Sequence, residues 1–201
     1  MTEHYYSKNP NIESRPKYWD FTLRGHSLKF KTDNGVFSKS EVDFGSRLLI
    51  ETFVIPEDLD GDILDVGCGY GPIGLTLGKL YPNRHVEMVD VNDRAIELAK
   101  HNAQANGIGN VNIHESNVYE KIEGSKYVAI LSNPPIRAGK NVVHTILSES
   151  YDHLVEGGEL WIVIQKKQGA PSAMAKMEEV FGNVEIAEKK KGYFIVFSKK
   201  N

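Results

Sequence analysis

The stretch ILDVGCGYGPIG, residues 63–74, decides the fold. Ile63, Leu64 and Val66 make a short apolar run with one carboxylate, Asp65, near its end, the pattern of a strand buried on both faces. Glycines at 67, 69 and 71 turn the chain, and Pro72 stands where a helix accepts proline, at its first position. The spacing predicts a helix from about Pro72 to Leu80. A strand that passes through glycine into a helix opens a βαβ unit.

The same alternation continues downstream. HVEMVDV (85–91) reads as a strand, Asn92 as the cap of a helix stopped by Gly107, and VNIHE (111–115) as the next strand. A loop with Ser116, Asn117 and Val118 follows. YVAILS (127–132) then runs into Asn133-Pro134-Pro135. A helix from about Lys140 to Val155 is expected to stop at Gly157-Gly158, before strand ELWIVIQ (159–165). After a helix near 172–181, VEIAE and YFIVFS flank Lys189-Lys190-Lys191-Gly192 as an antiparallel hairpin. Upstream, LKFKT (28–32) and Val36-Phe37 flank Asp33-Asn34-Gly35, a hairpin turn signal. Ser40 to Asp43 has the form of a capping box for a helix carrying Leu48, Leu49 and Phe53 and ended by Pro56. Strands alternating with helices mean an α/β fold: a mostly parallel sheet with helices on both faces.

The chain has 201 residues, 40% of them hydrophobic and 25% charged, which suits one globular domain with a substantial core. No apolar run approaches a membrane span, and the polar opening MTEHYYSKNPNIE has no signal-peptide core. The one cysteine, Cys68, allows no intrachain disulfide, and a cytoplasmic location is expected. The net charge of −3 is uneven: residues 1–40 carry +3, residues 41–160 carry −10 and residues 161–201 carry +4. Solvated lysine-rich ends and a polyanion-binding surface are both consistent with that. The seven histidines show no metal-ligand spacing, so no metal is expected.

Two ligands suit the glycine turn. Gly69, Gly71 and Gly74 satisfy the dinucleotide pattern G-x-G-x-x-G, and Asp90 ends the next strand, ready to accept from ribose hydroxyls. Pro72, however, removes a donor that a pyrophosphate over the helix start would use. S-adenosylmethionine (SAM) has no phosphate and carries cationic ammonium and sulfonium groups, which gives Asp65 a use. Asp65, Asp90, Asn117 and Asn133 all fall at or just after the carboxyl ends of strands, the rim where open α/β sheets bind ligands. At Asn133-Pro134-Pro135 the prolines hold residues 133 and 134 out of the helical region and fix the carbonyl direction. The Asn133 side-chain oxygen and the Pro134 carbonyl are then two acceptors for an NH₂ group whose lone pair attacks a methyl carbon.

The segments GVFSKSEVDFGSRLL (35–49), ILDVGCGYGPIG (63–74), VDVNDRAIELAKHNAQAN (89–106), SNV (116–118) and LSNPPIRAGK (131–140) together resemble the small class I methyltransferases related to ribosomal RNA small-subunit methyltransferase C, which act on guanine N2. The resemblance implies a Rossmann-like class I methyltransferase fold with seven strands and a C-terminal antiparallel hairpin. Residues 1–55 would form an N-terminal β-hairpin and helix extension on a catalytic core at 56–201, within a single domain 1–201. It implies SAM held by Asp65, Gly67, Gly69, Gly71, Asp90 and Val91, with Asn117 and Val118 at the adenine and Phe37 in a lid. It further implies amine recognition by Asn133, Pro134, Pro135 and Ile136, with RNA as partner. Two departures follow. The family usually has an aromatic residue where Ile136 stands, so Phe37 or Tyr119 is expected to supply the stacking face. Larger relatives carry an amino-terminal RNA domain, so the catalytic domain and its basic ends are expected to bind the substrate here. The acceptor chemistry alone also suits adenine N6 or a protein glutamine amide. A nicotinamide oxidoreductase and a non-catalytic SAM-binding module are remoter alternatives, and the oligomeric state is open.

Overall fold

The structure, a computed structural model, describes residues 6–8, 11–38 and 40–201. Residues 1–5, on which the reading of a leader-free start partly rests, lie outside the described residues, as does Lys39 of the quoted segment 35–49. A two-stranded hairpin, β1 (Lys17–Leu23) and β2 (His26–Thr32), precedes α1 (Phe44–Thr52). The alternating part runs β3 (Asp62–Val66), α2 (Pro72–Leu80), β4 (Val86–Asp90), α3 (Asp93–Ala105), β5 (Val111–Glu115) and β6 (Tyr127–Ser132). It continues with α4 (Lys140–His153), β7 (Leu154–Gln165), α5 (Ala170–Phe181), β8 (Glu185–Lys190) and β9 (Tyr193–Lys199).

The seven-stranded sheet has the order β5-β4-β3-β6-β7-β9-β8. Its first five strands are parallel, while β9 runs antiparallel to both β7 and β8. The chain lays β3, β4 and β5 outward in one direction, then crosses back to place β6 on the other side of β3. Right-handed crossovers therefore put α2 and α3 on one face and α4 and α5 on the other. Ile63, Val128 and Leu131 face the first cluster with α1, α2, α3 and the hairpin; Leu64, Val66 and Ile130 face the second with α4 and α5. All six residues of β6 are buried, as a central parallel strand requires. The reversal between β3 and β6 opens a crevice at their carboxyl ends.

The core strands and α2 match the sequence reading, and the amino-terminal region corrects it. The hairpin is β1 with β2, turning at Arg24-Gly25, and residues 36–37 are not a strand. Asn34-Gly35 does form a turn, but it leads into α1. That helix is capped by Asp43, whose Oδ2 accepts from the Ser46 N–H at 3.0 Å, and not by Ser40; it ends at Thr52, ahead of Pro56. Helix α4 stops at His153, and β7 begins at Leu154, passing through Gly157-Gly158 with a register shift against β6. Gly158 lies there because a Cβ would come within 3.0 Å of the Tyr127 carbonyl.

Candidate functional site

A cleft of about 320 Å³ opens at the carboxyl ends of β3, β4, β6 and β7. Gly67, Gly69, Asp90, Val91, Val118, Phe37, Asn133, Pro134, Pro135 and Ile136 all lie on its wall. Asp65, Gly71 and Asn117 do not. Asp65 is fully buried behind the glycine loop, where Oδ2 accepts from the Gly74 N–H at 2.9 Å and Oδ1 has no hydrogen-bond partner among the described residues. Burial, then the charge of Asp90, pushes its carboxyl up to about 7. Asn117 is exposed and accepts from the Tyr6 hydroxyl at 3.2 Å.

The glycine loop is spent inward. Gly67 and Cys68 donate to the Val89 carbonyl, Gly71 donates to that of Cys68, and Gly69 donates to Asp90 Oδ2 at 2.8 Å. With Pro72 lacking a donor and Gly74 bound to Asp65, these positions offer a pyrophosphate nothing to bind. The loop does offer room. A Cβ on Gly67 or Gly69 would meet no atom within 4 Å, so both face open space, whereas one on Gly71 would strike Leu75 and one on Gly74 would strike Met88, each at 2.6 Å. Asp90 Oδ1 accepts from the Asn92 N–H at 2.9 Å, and burial holds its carboxyl up at about 6. A carboxylate beside a glycine cradle without phosphate donors fits SAM. Val118 forms the neighbouring wall at φ 56°, left-handed backbone that costs a β-branched residue about 1–3 kcal/mol.

At the other end Asn133 is fixed by α1. Its Nδ2 donates to Asp43 Oδ2 and to Ser46 Oγ, both at 3.0 Å. The Pro135 and Ile136 carbonyls accept from Ala138 and Gly139 in a single 3-10 turn, so the corner is stiff beyond its prolines. Tyr119 does not supply an aromatic wall: it is buried, donates to the Ile146 carbonyl at 2.7 Å and stacks on His153. Its strand-end neighbour Val118 takes the wall position because the loop turns there. Phe37 is on the wall and half-exposed.

Tyr193, Asp43, Ser46 and Tyr6 also line the cleft, and the sequence reading assigned none of them to it. Tyr193 starts β9, pairs with Gln165 at the end of β7 and packs on Phe44 with centroids 5.4 Å apart. Gly45 makes its seat, since a Cβ there would lie 2.9 Å from the ring. The tyrosine therefore stands one residue from the two groups that hold Asn133. Its signal in the sequence was only an aromatic following the Lys-Gly turn. Cys68 lies on the wall with its thiol pushed up by burial, a small loop residue rather than a nucleophile. His144 reaches Ser172 on α5 and is not on the wall. Among the described residues no group of three His, Cys, Asp or Glu could hold a metal ion, and no helix is long and apolar enough to cross a membrane.

The methyltransferase small domain family matches residues 27–197. The uncharacterized protein YbxB of Bacillus subtilis is 55% identical over 201 residues, covering all of both chains. Ribosomal RNA small subunit methyltransferase C of Vibrio cholerae is 32% identical over 194 residues, 94% of this chain and 55% of that protein. The chain spans about half the length of the relatives bearing that name. Among solved structures, the T. thermophilus 16S rRNA N2 G1207 methyltransferase, in complex with AdoMet and guanosine, superposes with a TM-score of 0.84. It is 24% identical, and the match covers 96% of this chain and 52% of that one.

Proposed function

We propose, because the chain belongs to the methyltransferase small domain family, that it transfers a methyl group to an exocyclic amine of an RNA base, with guanine N2 of ribosomal RNA as the acceptor. Its methyl donor is SAM, which supplies an electrophilic methyl carbon. The observation that carries the reading is the Asn133-Pro134 corner: an amide whose NH₂ group is already engaged by α1, set in the same cleft as the glycine cradle.

In this reading Gly67 and Gly69 admit the cofactor closely, Asp90 accepts from its ribose hydroxyls, and Val91 and Val118 flank its adenine. Asn117 acts from outside the wall, through the loop and Tyr6. Asp65 braces the loop through Gly74 and contributes negative charge behind it. At the substrate end the Asn133 oxygen and Pro134 carbonyl accept from the two N–H bonds of the target amine. They would aim its lone pair at the methyl carbon, whose bond to sulfur breaks to leave a neutral thioether, and stabilise positive charge as it develops on nitrogen. The nitrogen then releases a proton to water, so no side chain need act as a base. Tyr193 supplies the aromatic face absent at Ile136, which favours a planar base over a glutamine side chain. We place the protein in the cytoplasm, where ribosomal RNA is.

The test is mass-spectrometric mapping of modified nucleosides in RNA from cells with and without the gene. Loss of N2-methylguanosine at one site is expected; an unchanged RNA profile overturns the RNA reading. Asn133→Ala is expected to lower turnover by about 100- to 1,000-fold while SAM affinity by calorimetry stays within a few-fold. Turnover near wild type would remove Asn133 from the chemistry.

A further inference from the structure

We propose that Asp43 and Ser46 are positioning residues that hold the Asn133 amide with its oxygen, not its nitrogen, toward the cleft. This rests on the amine-acceptor reading of Asn133 and extends it to α1. A terminal amide has two ends of nearly equal size and opposite hydrogen-bonding sense. Rotated by half a turn, Asn133 would oppose its own donors to the donors of a substrate amine. The prolines fix the backbone there but leave this torsion free. Something else must choose.

The choice is made on α1. Both contacts of Nδ2, to Asp43 Oδ2 and Ser46 Oγ, lie at 3.0 Å and come from its first turn. An ionised carboxylate only accepts, so it pairs with the amide nitrogen and cannot pair with the amide oxygen. The same Oδ2 caps the helix through the Ser46 N–H, and the Asp43 carbonyl accepts from Arg47, so the carboxylate is anchored before Asn133 reaches it. Ser46 is buried, and both residues line the cleft. Capping alone does not require an aspartate, because serine caps equally well. Orienting Asn133 requires an acceptor oxygen one bond further out, which reaches the Asn133 amide while it caps Ser46.

That difference sets the experiment. Asp43→Ser keeps a cap on a side chain one bond shorter and is expected to keep the melting temperature and SAM affinity close to wild type, while turnover falls at least tenfold. Asp43→Asn, whose amide oxygen caps Ser46 and accepts from Asn133 at the same atom, is expected to recover at least tenfold over Asp43→Ser. Asn133→Asp faces Asp43 with a second carboxylate and is expected to be nearly inactive. Assays use small-subunit RNA, naked and in assembled subunits, from cells lacking the gene.

A second readout needs no substrate. In ¹⁵N-labelled protein the Asn133 side-chain NH₂ signals, assigned by their loss in Asn133→Ala, are expected to exchange slowly with solvent, and at least tenfold faster in Asp43→Ser. Unchanged exchange, or an Asp43→Asn variant no better than Asp43→Ser, overturns the proposal. Full turnover of Asp43→Ser beside an inactive Asn133→Ala overturns it while sparing the reading beneath. Full turnover of Asn133→Ala overturns that reading.

Discussion

Glycine is needed at 69 and at 74 for opposite reasons. Gly69 has φ 57° and open space where a Cβ would go, so Gly69→Ala costs about 1–2 kcal/mol of backbone strain and puts a methyl group into the cleft. Calorimetry is expected to show at least a tenfold loss of SAM affinity. Gly74 instead packs under Met88, and Gly74→Ala is expected to cost about 1–3 kcal/mol in urea unfolding, with affinity changed less. The two buried carboxyls give a pH dependence of definite sign. Asp65, at about 7, and Asp90, at about 6, both titrate above the ordinary value of 3.8, so the folded chain holds these protons more tightly than the unfolded one. Their cost to stability is absent below that ordinary value, grows as pH rises through the window and is complete above about pH 7. The ligand-free protein is expected to lose this contribution between about pH 4 and 7, and Asp65→Asn to flatten the loss. A cationic ligand has the reverse preference, so SAM affinity should rise through the same window. A pH-independent dissociation constant would place the ligand away from Asp90.

Helix α3 acts as a third strand for the hairpin. Asn102 Oδ1 accepts from the Lys31 N–H and its Nδ2 donates to the Lys31 and Tyr70 carbonyls; Asn106 pairs in the same two-way manner with Lys29. Residues four apart on a helix meet residues two apart on a strand, so side-chain amides satisfy the open edge of β2. Asn102 is fully buried, and Asn102→Ala is expected to cost about 3 kcal/mol in urea unfolding, Asn106→Ala about 1. These contacts explain what the sequence showed and what it hid. β3, β4, β6 and α2 were legible because their apolar runs, glycines and caps are local signals. β1 was not, because KYWDFTL mixes charged and aromatic residues, its turn uses Arg24 at φ 47° instead of Asn-Gly, and its sheet is completed by a helix some seventy residues away. Trp19 anchors β1 all the same: it packs on Phe30 and Tyr70 and donates to Thr32 Oγ1. Within the cleft, Asn133-Pro134-Pro135 was legible as one tripeptide. Asp43, Ser46 and Tyr193 were not, since only the fold brings them to it.

At the scale of the molecule, separate basic segments meet beside the substrate end. The Lys166 N–H donates to the Gly192 carbonyl, Lys191 and Arg47 lie 4.9 and 5.3 Å from the Phe44 ring, and Lys189 covers Phe194 at 4.8 Å. Phe44 in turn supports Tyr193 on the wall. Reversing charge at Lys189, Lys190 and Lys191 is expected to weaken RNA binding and to lower the slope of log affinity against log salt by up to about 2, with SAM affinity unchanged; an unaltered slope would clear the hairpin of contact. The opposite end of the cleft is crossed by the amino-terminal arm. Tyr6 lines it and binds Asn117, the Lys8 carbonyl accepts from Asp93, and Arg94 holds the carbonyls of Ile12 and Asn34. A cofactor behind such a strap exchanges only as often as the strap lets go. Tyr6→Ala should therefore raise the entry and exit rates together in stopped-flow displacement, shortening the residence time of spent cofactor while the equilibrium constant barely moves.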